Sequence, residues 1–209
     1  MAELIDIHPV DPQARQIARV VSLIRSGGLI AYPTGCSYAL GCHIGDKRAM
    51  DRIRRIRRTD KDHNFTLVCR DLSEISTYAR VDNWAYRLLR SFTPGPFTFI
   101  LRATGEVPKR LQNPKRRTIG IRIPDHPIPL AMLDYLSEPI MSSTLLMPGE
   151  TLPLTDPVDM AERLKGQVEA VIDGGAGGIE PSTVLDLTGD DVKLLRQGKG
   201  DASAIVPGV

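Results

Sequence analysis

Several things are scarce in this sequence, and each scarcity closes a route. Cysteine occurs three times, at Cys36, Cys42 and Cys69, an odd number with no C-x-x-C pair. That offers no disulfide framework and fits a reducing, cytoplasmic setting. No run of about 18 apolar residues exists, which excludes a membrane-spanning helix and any partner that it would imply. The first residues, MAELIDIHPVDPQ, lack the basic-then-apolar plan of a secretory leader. Aromatic residues make up 5% of the chain and Trp84 is the one tryptophan, so base stacking is not suggested. Missing too are G-x-x-x-x-G-K-[ST], G-x-G-x-x-G after a strand, and G-x-S-x-G, which sets aside P-loop, dinucleotide-binding and serine-hydrolase chemistry. Cys36, Cys42 and His43 match no common zinc spacing, and no metal site is expected; packed thiols are the plainer reading. Cys36 as a nucleophile would need a histidine beside it, and nothing in the sequence supplies one.

What is present is positive charge in two places. The chain of 209 residues carries a net charge of only +2. Yet residues 46–62 hold eight basic and four acidic side chains, and residues 107–122 hold six basic groups and no acidic one. A balanced chain with two cationic segments points to an anionic partner at one place, with two solvated surfaces as the alternative.

The length suits one α/β domain over residues 1–209. Ile17, Val20, Val21 and Ile24 follow helical spacing, and Gly27-Gly28 ends that helix. Ala49, Ile53 and Ile56 give the arginine-rich segment an apolar stripe, leaving Arg52, Arg55 and Arg58 on other faces. Residues 71–79, 83–92, 127–136 and 157–165 are expected to be helical, the last with Asp156 as cap and Pro157 at its first position. Strands are expected at 29–33, 65–69, 97–101, 118–123, 139–143, 170–173, 182–187 and 192–196. Strands interleaved with helices predict an open, twisted, mixed sheet with helical cover. The proline-rich stretch 146–157 reads as a flap beside a site. GGAGG, at 174–178, is either a plain flexible loop or, less in keeping with its flanks, a phosphate cradle. Arg122 alternates with Ile121 and Ile123, so it faces a pocket or bulk water. His126, between Asp125 and Pro127, reads as structural.

At YPTGCSYALG (32–41) the sequence resembles the YrdC-like family. The same holds for TPGPFTFIL (93–101), TIGIRIPDHPI (118–128) and STVLDLTGDDVKLLRQG (182–198), in order along the chain. RIRRTDKDHNFTLVCRDLSEIST looks like the YciO branch. The resemblance implies an open α/β sheet with a large basic concave face. It implies threonylcarbamoyl-AMP synthase activity, weakened in this chain: L-threonine, bicarbonate and ATP, with Mg²⁺, give threonylcarbamoyl-adenylate and pyrophosphate for tRNA modification. The alternative is a non-catalytic module of the same fold that binds double-stranded RNA, tRNA or a nucleotide. No catalytic residue is assigned, which suits a reaction driven by positioning and preorganised positive charge.

Carried over by motif, Arg57, Arg58, Ser143, Ser182 and Arg196 would hold the nucleotide, and Thr34, Tyr38 and Arg122 the amino acid. Arg52, Arg55, Lys115, Arg116 and Arg117 would extend the charge to RNA, read by backbone and shape. Four positions depart from the family pattern and are expected in the pocket. Arg57-Arg58-Thr59 stands for a K-x-R element, with an extra residue in the turn that follows. Cys69 replaces a histidine, Leu145 replaces the asparagine of S-x-N, and Gly35-Cys36 replaces polar residues.

Overall fold

The computed structural model describes residues 2–59, 64–113 and 115–206. Its elements run β1 (Glu3–Asp6), α1 (Ala14–Arg25), β2 (Ile30–Tyr32), β3 (Ala39–His43), α2 (Lys47–Arg57), β4 (Thr66–Val68), α3 (Leu72–Tyr78), β5 (Ala79–Arg80), α4 (Asn83–Phe92) and β6 (Phe97–Ala103). There follow β7 (Thr118–Arg122), α5 (Pro127–Leu136), β8 (Ile140–Thr144), α6 (Pro157–Arg163), β9 (Ala170–Asp173), β10 (Thr183–Asp186) and β11 (Lys193–Arg196). All the strands join one open sheet in the order β1-β9-β2-β3-β8-β4-β7-β6-β10-β11, with β5 on the side of β6. Pairing is mixed: β4 runs parallel to β7 and β6 to β10, while β8 is antiparallel to both β3 and β4.

Caps fix the helices where the sequence places them. The Asp46 carboxylate accepts from the Ala49 amide at the start of α2, and Asp156 accepts from the Val158 and Asp159 amides at the start of α6. His126 caps α5, its Nδ1 accepting from the Ile128 amide at 3.2 Å, ahead of Pro127. Helix α6 ends at Arg163, two residues short of the expected 165. Strands β1, β3 and β5 have no counterpart in the sequence reading. They are only two to five residues long, too short to carry a period of their own. In β3 a central glycine hides the pattern further. Gly41 is needed because a Cβ there would lie 2.6 Å from the Tyr32 ring on the neighbouring strand.

The core is double. On one face, α1 (Ile17, Val20, Val21, Ile24) and α5 (Met132, Leu133) cover Ile5, Ile30, Ile140 and Ile172. On the other, α2 (Ala49, Met50, Ile53, Ile56) and α4 (Ala85, Leu89) belong with Leu40, Leu67, Phe99 and Ile121. Alternation along the strands then fixes the site. Leu67, Phe99 and Ile121 point into the second core, so Thr66, Thr98, Gly120 and Arg122 lie on the opposite face. There the hydrophobic cover given by α1 and α5 has run out, and that half of the sheet is polar.

Candidate functional site

The turn from β2 to β3 forms one wall. Thr34 donates through its hydroxyl to the Ser37 carbonyl at 2.6 Å and accepts from Arg122 Nη1 at 3.2 Å. Arg122 Nη2 donates to the Thr34 carbonyl (2.8 Å) and to Cys36 Sγ (3.0 Å). Only 8% of Arg122 is exposed, and its buried Nε has no hydrogen-bond partner among the described residues. The glycine conformation at Gly35 (φ 78°) lets this turn press against the Asp125 carbonyl, which a Cβ would meet at 2.6 Å.

The opposite wall comes from the ends of α2, β8, β10 and β11. Arg57 Nη1 donates to Ser143 Oγ at 2.7 Å. Arg196 grips the Ser182 carbonyl through Nε (3.1 Å) and Nη2 (2.7 Å), and Ser182 Oγ shares a 2.7 Å hydrogen bond with Thr98 Oγ1. Arg57, Ser143, Ser182 and Arg196 line a cavity of about 380 Å³ whose other side is apolar, with Leu146, Pro153, Ile179 and Leu195. A smaller cavity of about 40 Å³, with Thr34, Arg122, Ser142, Ser143 and Ser182 in its walls, opens beside it. Thr66, Thr98, Ser143 and Ser182 belong to both, so the two are compartments of one hollow.

Charge is crowded there. Burial lowers the Arg57 pKa below that of an ordinary guanidinium, and the nearby Arg196 charge lowers it further. Arg196 is lowered by burial as well; Cys36 offsets part of this, and Arg122 adds to it. A guanidinium stays protonated through any ordinary pH range, so the strain persists as mutual repulsion.

The expected residues do not all gather here. Tyr38 shares a side recess with Thr34 but is not on the walls of the hollow. Its hydroxyl donates to the Gly175 carbonyl and accepts from the Gly174 amide, and burial pushes its pKa up to about 12. It pins the glycine loop 174–178, where Gly178 lies so close to Cys36 that a Cβ would meet its carbonyl at 2.1 Å. Close packing explains Gly174, Gly177 and Gly178, and a left-handed backbone (φ 92°) explains Gly175. Arg58 caps α2 in the left-handed conformation (φ 48°), is exposed, and lies off the walls. The turn with the extra residue falls on residues 60–63, outside the described residues. Arg52 is taken by Glu169 and the Gln167 carbonyl, and Arg55 donates to the Asp51 carbonyl. Lys115, Arg116 and Arg117 gather elsewhere, around recesses beyond β6 and β7 that neither Arg52 nor Arg55 lines.

Two of the four departures are not in the pocket at all. Cys69 and Leu145 are fully buried in the second core, and burial raises the Cys69 thiol pKa. Neither removes a polar group from the hollow. Gly35 and Cys36 do belong to the site, since Cys36 holds Arg122. Thr66, Thr98 and Ser142 were missed by motif reasoning, although Thr98 between Phe97 and Phe99 carried the signal of alternation. Lys199, whose ammonium donates to the Gly35 carbonyl at 2.6 Å, had no such signal.

An open mixed sheet with helices on both faces, and one polar, arginine-lined half left uncovered, defines a class of α/β protein with a cationic hollow on its sheet. The comparisons fit that class. A family model for Sua5, YciO and YrdC proteins, described as telomere recombination, matches residues 22–198. The chain is 51% identical over 201 residues to YciO of Escherichia coli strain K12, covering 96% of this chain and 98% of that one. The crystal structure of E. coli YciO superposes with a TM-score of 0.95 at 50% identity, over 99% of this chain and 100% of that one. A threonylcarbamoyl-AMP synthase of Pyrococcus abyssi is 32% identical over 88% of this chain and 54% of its own length. The structure of P. abyssi Sua5 complexed with L-threonine has a TM-score of 0.85 at 29% identity, over 93% of this chain and 57% of that one. The chain belongs to the Sua5/YciO/YrdC family.

Proposed function

We propose that the protein carries out adenylyl transfer of the threonylcarbamoyl-AMP synthase kind. The observation that carries this reading is the convergence of Arg57, Arg122 and Arg196 with Ser143 and Ser182 on one hollow of two compartments. The larger compartment has a cationic side for phosphates and an apolar side, Ile179 and Leu195, for a base. The smaller one, with Thr34 and the buried Arg122, suits the carboxylate and hydroxyl of L-threonine. Relatives named threonylcarbamoyl-AMP synthase, and a Sua5 structure holding L-threonine, support the assignment.

In the reaction, a carbamate oxygen of N-carboxy-L-threonine, formed from threonine and bicarbonate, attacks the α-phosphorus of ATP, and the bond to pyrophosphate breaks. Negative charge grows on the departing phosphates, where Arg57 and Arg196 stand ready. Mg²⁺ arrives on the nucleotide, as part of the substrate. Among the described residues no group of three His, Cys, Asp or Glu could hold a metal ion, so the phosphate contacts that this chain supplies are guanidinium and hydroxyl. The threonylcarbamoyl group of the adenylate would then pass to the amino group of a tRNA adenosine in the cytoplasm, with AMP as the leaving group.

Purified protein with ATP, L-threonine and bicarbonate should release pyrophosphate and form threonylcarbamoyl-adenylate, detected by mass spectrometry. No product above a control without threonine overturns the reading. Nucleotide binding without product would leave a binding module of the same fold.

A further inference from the structure

A second cationic recess, of about 590 Å³, lies at the far end of β6, and the adenylyl-transfer reading makes no use of it. Arg80, Arg102, Lys109, Arg116 and Arg117 line it, and no carboxylate does among the described residues. Three features show that the chain maintains this charge against local cost. Arg80 on β5 and Arg102 on β6 are paired directly opposite each other, an arrangement that places like charges side by side. Arg117 adopts a left-handed conformation (φ 53°), where a non-glycine residue is strained. Hydrogen bonds hold the described residues beside it: Asn113 Oδ1 accepts from the Lys115 and Arg116 amides, and the Arg117 amide donates to the Asn113 carbonyl at 2.9 Å.

Existing partners leave the recess cationic. Arg102 spends Nε and Nη2 on the Thr188 carbonyl, a neutral acceptor. Arg116 touches Asp186 at 3.5 Å, but Arg80, Lys109 and Arg117 have no ion pair among the described residues. The remaining walls are amide and backbone, from Gln112, Asn113, Thr104 and Gly105, with Ala103 as the sole apolar residue. The apolar side chains of the main hollow, Leu146, Pro153, Ile179 and Leu195, have no counterpart here. Arg116 and Asn113 also line an intervening recess of about 280 Å³, which has Asp186 in its wall and shares Phe65, Ile100 and Gly120 with the main hollow.

We propose that this recess is a second anion site that takes a short phosphate chain without its nucleoside, held by the guanidiniums of Arg80, Arg102 and Arg117 and the Lys109 ammonium. The reading is independent of adenylyl transfer, because none of these residues lines the main hollow.

Inorganic tripolyphosphate, titrated calorimetrically into the full chain already saturated with ATP, is the direct probe. It should still bind with one equivalent, and Arg80→Gln combined with Lys109→Gln should weaken that binding about tenfold or more, as loss of charge-assisted hydrogen bonds requires. ATP affinity should be unchanged. Without added anion, Arg80→Gln should melt at the same or a higher temperature than the parent, since a repulsive pair is gone, and tripolyphosphate should raise its melting temperature less. Arg117→Gly, free of the left-handed strain, provides a second folded variant with weakened binding. Exclusion of tripolyphosphate by ATP, or equal binding by parent and variants, overturns the proposal. So does recess-dependent binding of an RNA duplex of about 16 base pairs with no tripolyphosphate binding, which would mark a nucleic-acid contact instead.

Discussion

At Arg57 and Arg196, charge and burial oppose one another. Each loses solvation, each feels like charge from its neighbours, and a serine holds each in place through its hydroxyl or its carbonyl. Such a pair is weak evidence for stability, and perturbed groups of this kind cluster at functional sites. Arg57→Met should therefore lower the rate of pyrophosphate release about 10- to 100-fold, the loss of one charge-assisted contact at the leaving phosphates. The melting temperature should move little, because relief of repulsion and of buried charge offsets the lost contacts, the bond to Ser143 among them. A large fall in melting temperature with unchanged turnover would contradict this account. Residues named by motif landed unevenly: Thr34, Arg57, Arg122, Ser143, Ser182 and Arg196 line the hollow, whereas Arg58 and Tyr38 do not. A motif gives position along the chain. It does not say that a left-handed cap turns Arg58 outward or that Tyr38 serves the glycine loop.

Helix α5 shows how an element carries its own pH dependence. His126 caps it with a ring nitrogen acting as acceptor, which requires neutral imidazole at that atom. Burial lowers its pKa below the ordinary 6.5, with Asp125 opposing and Arg122 reinforcing the shift. The unfolded chain therefore binds this proton more readily than the folded one. The cap's contribution is full above pH 6.5 and is lost as pH falls through the lowered folded value. His126→Asn keeps a cap acceptor that does not titrate. Thermal melts between pH 7.5 and pH 5 should show a smaller acid loss in the variant than in the parent, by up to about 1 kcal/mol, the worth of a cap. Equal slopes would sink the assignment. Periodicity was enough for helices with caps and long apolar stripes, and for strands such as β6, where phenylalanines flank a threonine. It failed for β1, β3 and β5, whose few residues form strands only because neighbours offer a hydrogen-bonding edge.

Across the whole molecule, the hollow, the intervening recess along β6 and β7, and the recess by β5 share lining residues in succession. A small net charge of +2 therefore conceals a trough lined by many basic side chains and, among the described residues, one carboxylate, Asp186. Fields from such a concavity steer anions, and salt screens them. Stopped-flow measurement of ATP association should show a rate that falls several-fold as ionic strength rises from about 0.01 M to 0.15 M, where the Debye length shrinks from about 30 to 8 Å. A salt-independent rate would mean that the trough does not guide the nucleotide.

By itself the sequence determined the class of fold, most element positions and the kinds of side chain available, because alternation, helical spacing and caps are local physics written in neighbouring residues. Only the tertiary structure decided which side chains meet. Arg57 from α2, Arg122 from β7 and Arg196 from β11 become neighbours through strand order and twist, and Cys69 and Leu145, each just past the end of a strand, are buried in the core instead of the pocket. Those outcomes depend on contacts between residues far apart in the chain, and no local pattern encodes them.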